Sequence, residues 1–147
     1  MTVAAAASIL WPMLAQIGWV FMLYAWLTVV RMRAVRRGEV EFACFVLGRE
    51  EPIGIARIAR NLANQFELPV IFYALVVLLV ALGRVTAIDV IAAWVFVAGR
   101  VVHTLVQTLT DNVPLRGQVF MINFLALVVL AAHVAAIAFE ALGHSLG

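Results

Sequence analysis

Two sets of polar residues in this chain recur at helical spacing within otherwise apolar sequence. Arg60, Asn64 and Glu67 follow one another by four and three residues, and Arg100, His103 and Gln107 by three and four, so each set falls on one helix face over two turns. Guanidinium groups bind carboxylates bidentately, a carboxylate accepts from an ammonium group, and amide and imidazole side chains supply the hydrogen bonds between them. Arg31 and Arg116, one closing an apolar stretch and the other opening one, add further cations. Four arginines (Arg31, Arg60, Arg100 and Arg116) and Glu67 thus describe a pocket for a small polar anion with one ammonium group. A thiol placed beside Arg116 would have its pKa lowered by the cation. Charge alone does not name the ligand.

The elements that carry these residues must be membrane helices. The chain has 147 residues, 66% hydrophobic and 12% charged, with a mean hydropathy of +1.10. A soluble domain is about 45–50% apolar and about 25% charged, so a soluble monomer is excluded. Four apolar stretches, at about residues 9–30, 58–82, 88–110 and 115–142, are each long enough to cross a bilayer. They occupy nearly all of residues 1–147, which we read as a single domain without room for a separate catalytic one. The expected fold is an all-α membrane protein, an up-and-down bundle of four transmembrane helices. A charge at the centre of a membrane helix costs about 2.5–3.5 kcal/mol, so both polar stripes should point inward. With a rise of about 1.5 Å per residue, Glu67 and Arg100 fall about 12 Å and about 16 Å from the same membrane surface. They are expected to face each other.

All ten basic residues are arginine, and six of them (Arg31, Arg33, Arg36, Arg37, Arg49 and Arg57) lie between the first and second stretches. That bias places the connection, about residues 31–58, in the cytoplasm and both termini on the opposite side. No basic residue precedes Arg31, so the first stretch reads as a retained span rather than a cleaved signal peptide. Gly83 and Arg84 close the second helix, and Asp111 or Asn112 caps the fourth with Pro114 in its first turn. Cys44, the single cysteine, cannot form an internal disulfide and is given no role.

The residues of the two stripes carry a resemblance. Arg60-Asn-Leu-Ala-Asn64-Gln-Phe-Glu67 followed by Pro69, and Arg100-Val-Val-His103-Thr followed by Gln107, Pro114 and Arg116, resemble second- and third-helix signatures of the MAPEG family. These are the membrane-associated proteins in eicosanoid and glutathione metabolism. The match is to the microsomal glutathione transferase and prostaglandin E synthase branch, and Arg31 in Val-Arg-Met-Arg fits the basic end of that branch's first helix. The resemblance implies a homotrimer that binds glutathione between subunits near the cytoplasmic face. It assigns glutathione contacts to Arg31, Asn64, Glu67, Arg100 and His103, with Arg60 bracing the same region and Gln107 beside it. Arg116 is the candidate for stabilising the thiolate.

Three positions depart from that pattern. Gln107 stands where the branch usually has Tyr, Gly117 where the prostaglandin synthase has Ser, and Pro69 comes one or two residues early. These departures count against eicosanoid synthesis. The leading expectation is a glutathione-dependent transferase or peroxidase acting on a lipophilic electrophile or hydroperoxide from the bilayer. The alternative is a non-catalytic trimer serving as a binding or assembly subunit of a membrane complex, with Glu67 and Arg100 as an ion pair that sets helix register. Membrane lipids are expected partners, nucleic acid is not, and no metal-ligand spacing is present. His133 reads as a packing or interhelical hydrogen-bond residue, His144 as solvated, and Trp11, Trp19, Trp26 and Trp94 as interfacial or lipid-facing. The Arg-only, Ala- and Val-rich composition points to a bacterial inner membrane.

Overall fold

The computed structural model describes residues 3–46 and 51–145. Gly48, Arg49 and Glu50 of the arginine-rich connection lie outside the described residues. The described residues form five α-helices: α1 (Val3–Arg36), α2 (Ile53–Ala63), α3 (Leu68–Ala81), α4 (Ala87–Leu109) and α5 (Val113–Ser145). With α2 and α3 taken as one interrupted span, four segments are long and apolar enough to cross a membrane. The protein is an all-helical, multi-pass integral membrane protein whose spans run up and down. Its spans run longer than the apolar stretches at both ends of the chain: α1 has 34 residues and α5 has 33, or about 50 Å each against a hydrocarbon thickness of about 30 Å.

The second span is broken, and Pro69 is the reason. In a continuous helix Pro69 would have to donate to the carbonyl of Gln65, but it has no N–H and its ring would press against that oxygen. The chain instead tightens into a 3-10 turn at Asn64–Phe66, and Glu67 leaves helical geometry at φ −103°, ψ −103° before α3 starts with Pro69 in its first turn. The buried residues nevertheless keep helical spacing across the break, from Ile58 and Leu62 through Gln65 to Phe72 and Val76, so Gln65 lies on the inward face while Arg60 and Glu67 lie on the exposed one.

Local chemistry fixes the other helix ends. Gly83 sits at φ 69°, the left-handed conformation that a helix-terminating glycine adopts, and the amide of Arg84 closes back on the Leu79 carbonyl at 3.2 Å. Thr86 and Asp89 then form a reciprocal capping box at the start of α4. At the start of α5 the choice between Asp111 and Asn112 falls on Asn112, whose Oδ1 accepts from the Leu115 amide at 2.9 Å. Asp111 pairs with Arg57 of α2 instead.

Two apolar clusters build the core. Phe72, Val76 and Leu79 of α3 pack with Ala93 and Phe96 of α4, Leu130 of α5 and Ile9 of α1, and Phe72 stacks on Phe96 with ring centroids 4.5 Å apart. Leu23, Leu27 and Ala34 of α1 pack with Ile55, Ile58 and Leu62 of α2. Beside these clusters a buried polar layer of Gln16, Asn61, Gln65, Arg100 and Thr104 joins α1, the second span and α4. Helices α4 and α5 meet closely at Gly99, where a Cβ would fall 2.0 Å from Asn123 Oδ1, so only glycine leaves room for that side chain.

Candidate functional site

The polar layer is a connected set of hydrogen bonds centred on Gln65. Its Oε1 accepts from Gln16 Nε2 at 3.1 Å and from Arg100 Nε at 3.3 Å, joining α1, the break in the second span and α4. Arg100 Nη2 donates to the Asn64 carbonyl at 2.7 Å, an oxygen left accessible where the helix is interrupted. Thr104 Oγ1 lies 2.9 Å from Asn61 Oδ1, and Trp19 Nε1 donates to Thr104 at 3.3 Å. Gln107 Oε1 accepts from both Asn61 Nδ2 at 3.3 Å and Asn64 Nδ2 at 3.1 Å. Trp19 is therefore tied inward, unlike Trp11 and Trp94, which are exposed.

Arg100 is fully enclosed, at 2% exposure, and its partners are an amide and a backbone carbonyl rather than Glu67. Among the described residues the expected Glu67–Arg100 ion pair does not form: no ion-pair contact within 4.0 Å joins the two and Glu67 is exposed, although its charge still acts on Arg100 from farther off. The physical reason is helical register: Gln65 shares the buried face of Ile58, Leu62, Phe72 and Val76 and so meets the guanidinium, while Glu67 falls on the opposite face. Arg31 also stands apart. It pairs with Glu51 at 2.5 Å, and its guanidinium lies 4.8 Å from the centre of the Phe45 ring, so it braces the connection between α1 and α2.

Beside the polar layer, a cavity of about 360 Å³ opens between α2, α4 and α5. Arg60 and Asn64 line it from the second span, His103 and Gln107 from α4, and Arg116 with Gly117 and Phe120 from α5. Five of the eight residues marked by the sequence thus converge on one space, while Arg31, Glu67 and Arg100 do not line it within a single subunit. A smaller cavity of about 190 Å³ shares Arg60, Gln107 and Arg116 and reaches the Arg57–Asp111 pair at the end of α4. Polar groups facing the larger cavity are unfulfilled. Among the described residues neither the Arg60 nor the Arg116 guanidinium has a hydrogen-bond or ion-pair partner, and His103 Nδ1 is buried without one. Two cations, an imidazole and two amides around an apolar wall of Val113 and Phe120 fit an anionic peptide-like ligand with an apolar co-reactant.

A model of the MAPEG family matches residues 9–136, which takes in every residue of the cavity. The chain belongs to the MAPEG family. Searches among curated proteins and among solved structures found no match. Membership is consistent with glutathione-related transferase or peroxidase activity in a lipid environment.

Sequence reasoning did not mark Asn61, Gln65, Thr104 or Gln16, which hold Arg100 and Gln107 in place. A signal for them was present: all four are polar residues inside apolar spans, and Asn61 and Gln65 fall at helical spacing with the apolar Ile58, Leu62, Phe72 and Val76. Among the described residues no group of three His, Cys, Asp or Glu side chains is placed to hold a metal ion.

Proposed function

We propose that this protein is a glutathione-dependent transferase or peroxidase that acts on lipophilic electrophiles or hydroperoxides arriving from the bilayer. The observation that carries the reading is the cavity itself, in which Arg60, Arg116 and His103 Nδ1 are all left without protein partners. Arg60, Asn64 and His103 would hold the carboxylate and amide groups of glutathione. When bound, glutathione supplies the thiol nucleophile, and the Arg116 guanidinium would favour loss of the proton from its sulfur. Gln107 positions Asn64 at the wall. Phe120 and Val113 give the apolar substrate a dry surface from the α5 side.

A homotrimer supports the same reading. Glu67 is exposed on a membrane-spanning segment, where a carboxylate facing lipid would be costly, and Arg31 and Glu67 lie outside the cavity of one subunit. Contact between subunits would cover Glu67 and bring these remaining groups to the ligand. The arginine bias between α1 and α2 supports a cytoplasmic location for this end, with both termini on the other side of a bacterial inner membrane.

The deciding experiment compares wild type and Arg116→Ala in glutathione conjugation to a chloronitrobenzene and in reduction of an organic hydroperoxide. Turnover is expected to fall while glutathione binding is retained; equal turnover in the two proteins would remove Arg116 from the chemistry. A second reading, a non-catalytic binding or assembly subunit, is favoured by one observation: Gln107 Oε1 is fully engaged by Asn61 and Asn64, a structural use of the position where the branch carries a phenol. Absence of thermal stabilisation by millimolar glutathione would select that reading.

A further inference from the structure

A second cavity, of about 420 Å³, lies at the arginine-rich end of α1 and shares no lining residue with the candidate site. Its volume falls within the about 300–1,000 Å³ typical of small-molecule sites. Trp26 and Val30 line it from α1 and Ile55 and Ile58 from α2, so its depth is apolar. Its mouth is charged: Arg33 and Arg37 stand there with Glu39. Glu39 lies 3.6 Å from Arg37, which leaves Arg33 without a carboxylate partner among the described residues.

The position of this cavity along α1 sets what can enter it. Helix α1 is longer than the hydrocarbon layer is thick, and Arg31, Arg33 and Arg36 mark the end that emerges into the headgroup region. Trp26, a residue type that favours this interface, is about 10 Å below Arg33 along the helix. An occupant must therefore present negative charge at the level of Arg33 and continue as an apolar body for about 10 Å toward the bilayer centre. Free phosphate lacks the apolar body. A zwitterionic headgroup brings an ammonium group to a mouth whose one lining carboxylate, Glu39, is already beside Arg37 and where, among the described residues, the Arg33 guanidinium has no carboxylate partner.

We propose that this cavity is a binding site for an anionic phospholipid, with its phosphate on Arg33 and Arg37 and its proximal acyl chain against Trp26, Val30, Ile55 and Ile58. The lipid would bridge α1 and α2 at the end where their connection is longest, independently of what the glutathione site does.

Purified full-length protein in a neutral detergent tests this by thermal unfolding titrated with phosphatidylglycerol, phosphatidylcholine, glycerophosphoglycerol or inorganic phosphate. Phosphatidylglycerol is expected to stabilise saturably and the other three not to. Replacing either arginine (Arg33→Gln, Arg37→Gln) should weaken its apparent affinity about fivefold, and replacing both about 25-fold. Arg36→Gln, an exposed arginine that does not line the cavity, should leave that affinity unchanged. Equal stabilisation by phosphatidylcholine, reproduction of the effect by inorganic phosphate or the chain-free headgroup, or an equal loss in Arg36→Gln would each overturn the proposal.

Discussion

Helix α4 carries a polar cluster near each end, and the two differ in how completely the protein satisfies them. At the start of α4, Asp89 is wholly buried and accepts from the Thr86 amide and hydroxyl, each at 2.7 Å, while His133 Nδ1 of α5 lies 2.9 Å from both its carboxylate oxygens. Arg84 and Glu140 pair at 2.7 Å and join the same two layers of the bundle. Toward the other end, His103 Nδ1 is buried without a partner, the guanidinium groups of Arg60 and Arg116 have none among the described residues, and all three residues line the cavity. Burying a polar group is costly in either place. Where neighbouring side chains offset the cost completely, the cluster is a clamp. Where they do not, the remaining hydrogen bonds are available to water or a ligand, and the cluster can be a site.

That contrast can be broken most directly at the open end. Arg116→Ala is expected to lower the rate of glutathione conjugation about 100-fold, the scale seen when one preorganised charge-stabilising group is removed, and to change glutathione affinity by calorimetry about threefold or less. Parallel losses in rate and affinity would make the open end a binding surface only. At the closed end, Asp89→Ala leaves the Thr86 amide and His133 without their acceptor, and the expected loss is about 2–3 kcal/mol of stability. Thermal or denaturant unfolding reads that loss, and glutathione affinity should stay at the wild-type value. A fall in affinity with unchanged stability would reverse the roles of the two clusters.

Between the two ends, Gly99→Ala drives a Cβ against Asn123 and should cost about 1–2 kcal/mol, with much of it recovered in the Gly99→Ala, Asn123→Ala double variant. No recovery would mean that the α4–α5 contact, rather than one amide, sets the spacing of the pocket walls. The smallest effect is expected for Gln16→Leu. It removes one hydrogen bond to Gln65 but also an Oε1 that is buried without a partner, so stability should change by about 1 kcal/mol or less. A larger loss would show that the polar layer depends on α1 more than its hydrogen bonds indicate.

The sequence made much of this legible because membrane helices tolerate few polar groups. Arg60, Asn64, His103, Gln107 and Arg116 converge because each must avoid lipid, and periodicity is enough to find residues under that constraint. Glu67 did not follow, because spacing tells which residues share a helix face and not which face packs inward, and Arg60 and Glu67 share the exposed one. Gln65 and Asn61 lie instead with Ile58, Leu62, Phe72 and Val76 on the face that packs against α1 and α4. Arg31 could be placed at a helix end, but its pairing with Glu51 rests on how a long connection folds back, for which spacing carries no rule.

Composition and periodicity alone determined that the chain is a membrane bundle of four spans, that its arginines gather at one end, and which polar residues inside the spans are candidates for a site. Those are consequences of transfer free energy, which depends on residue type and on position along a helix. Tertiary structure decided which polar groups satisfy one another and which remain open. Gln65 rather than Glu67 meets Arg100, Gln107 is held by two asparagines, Asp89 is clamped, and Arg116 is left facing the cavity. Hydrogen bonding is directional over about 3 Å, so the choice of which helix face packs inward selected among partners that the sequence could not distinguish.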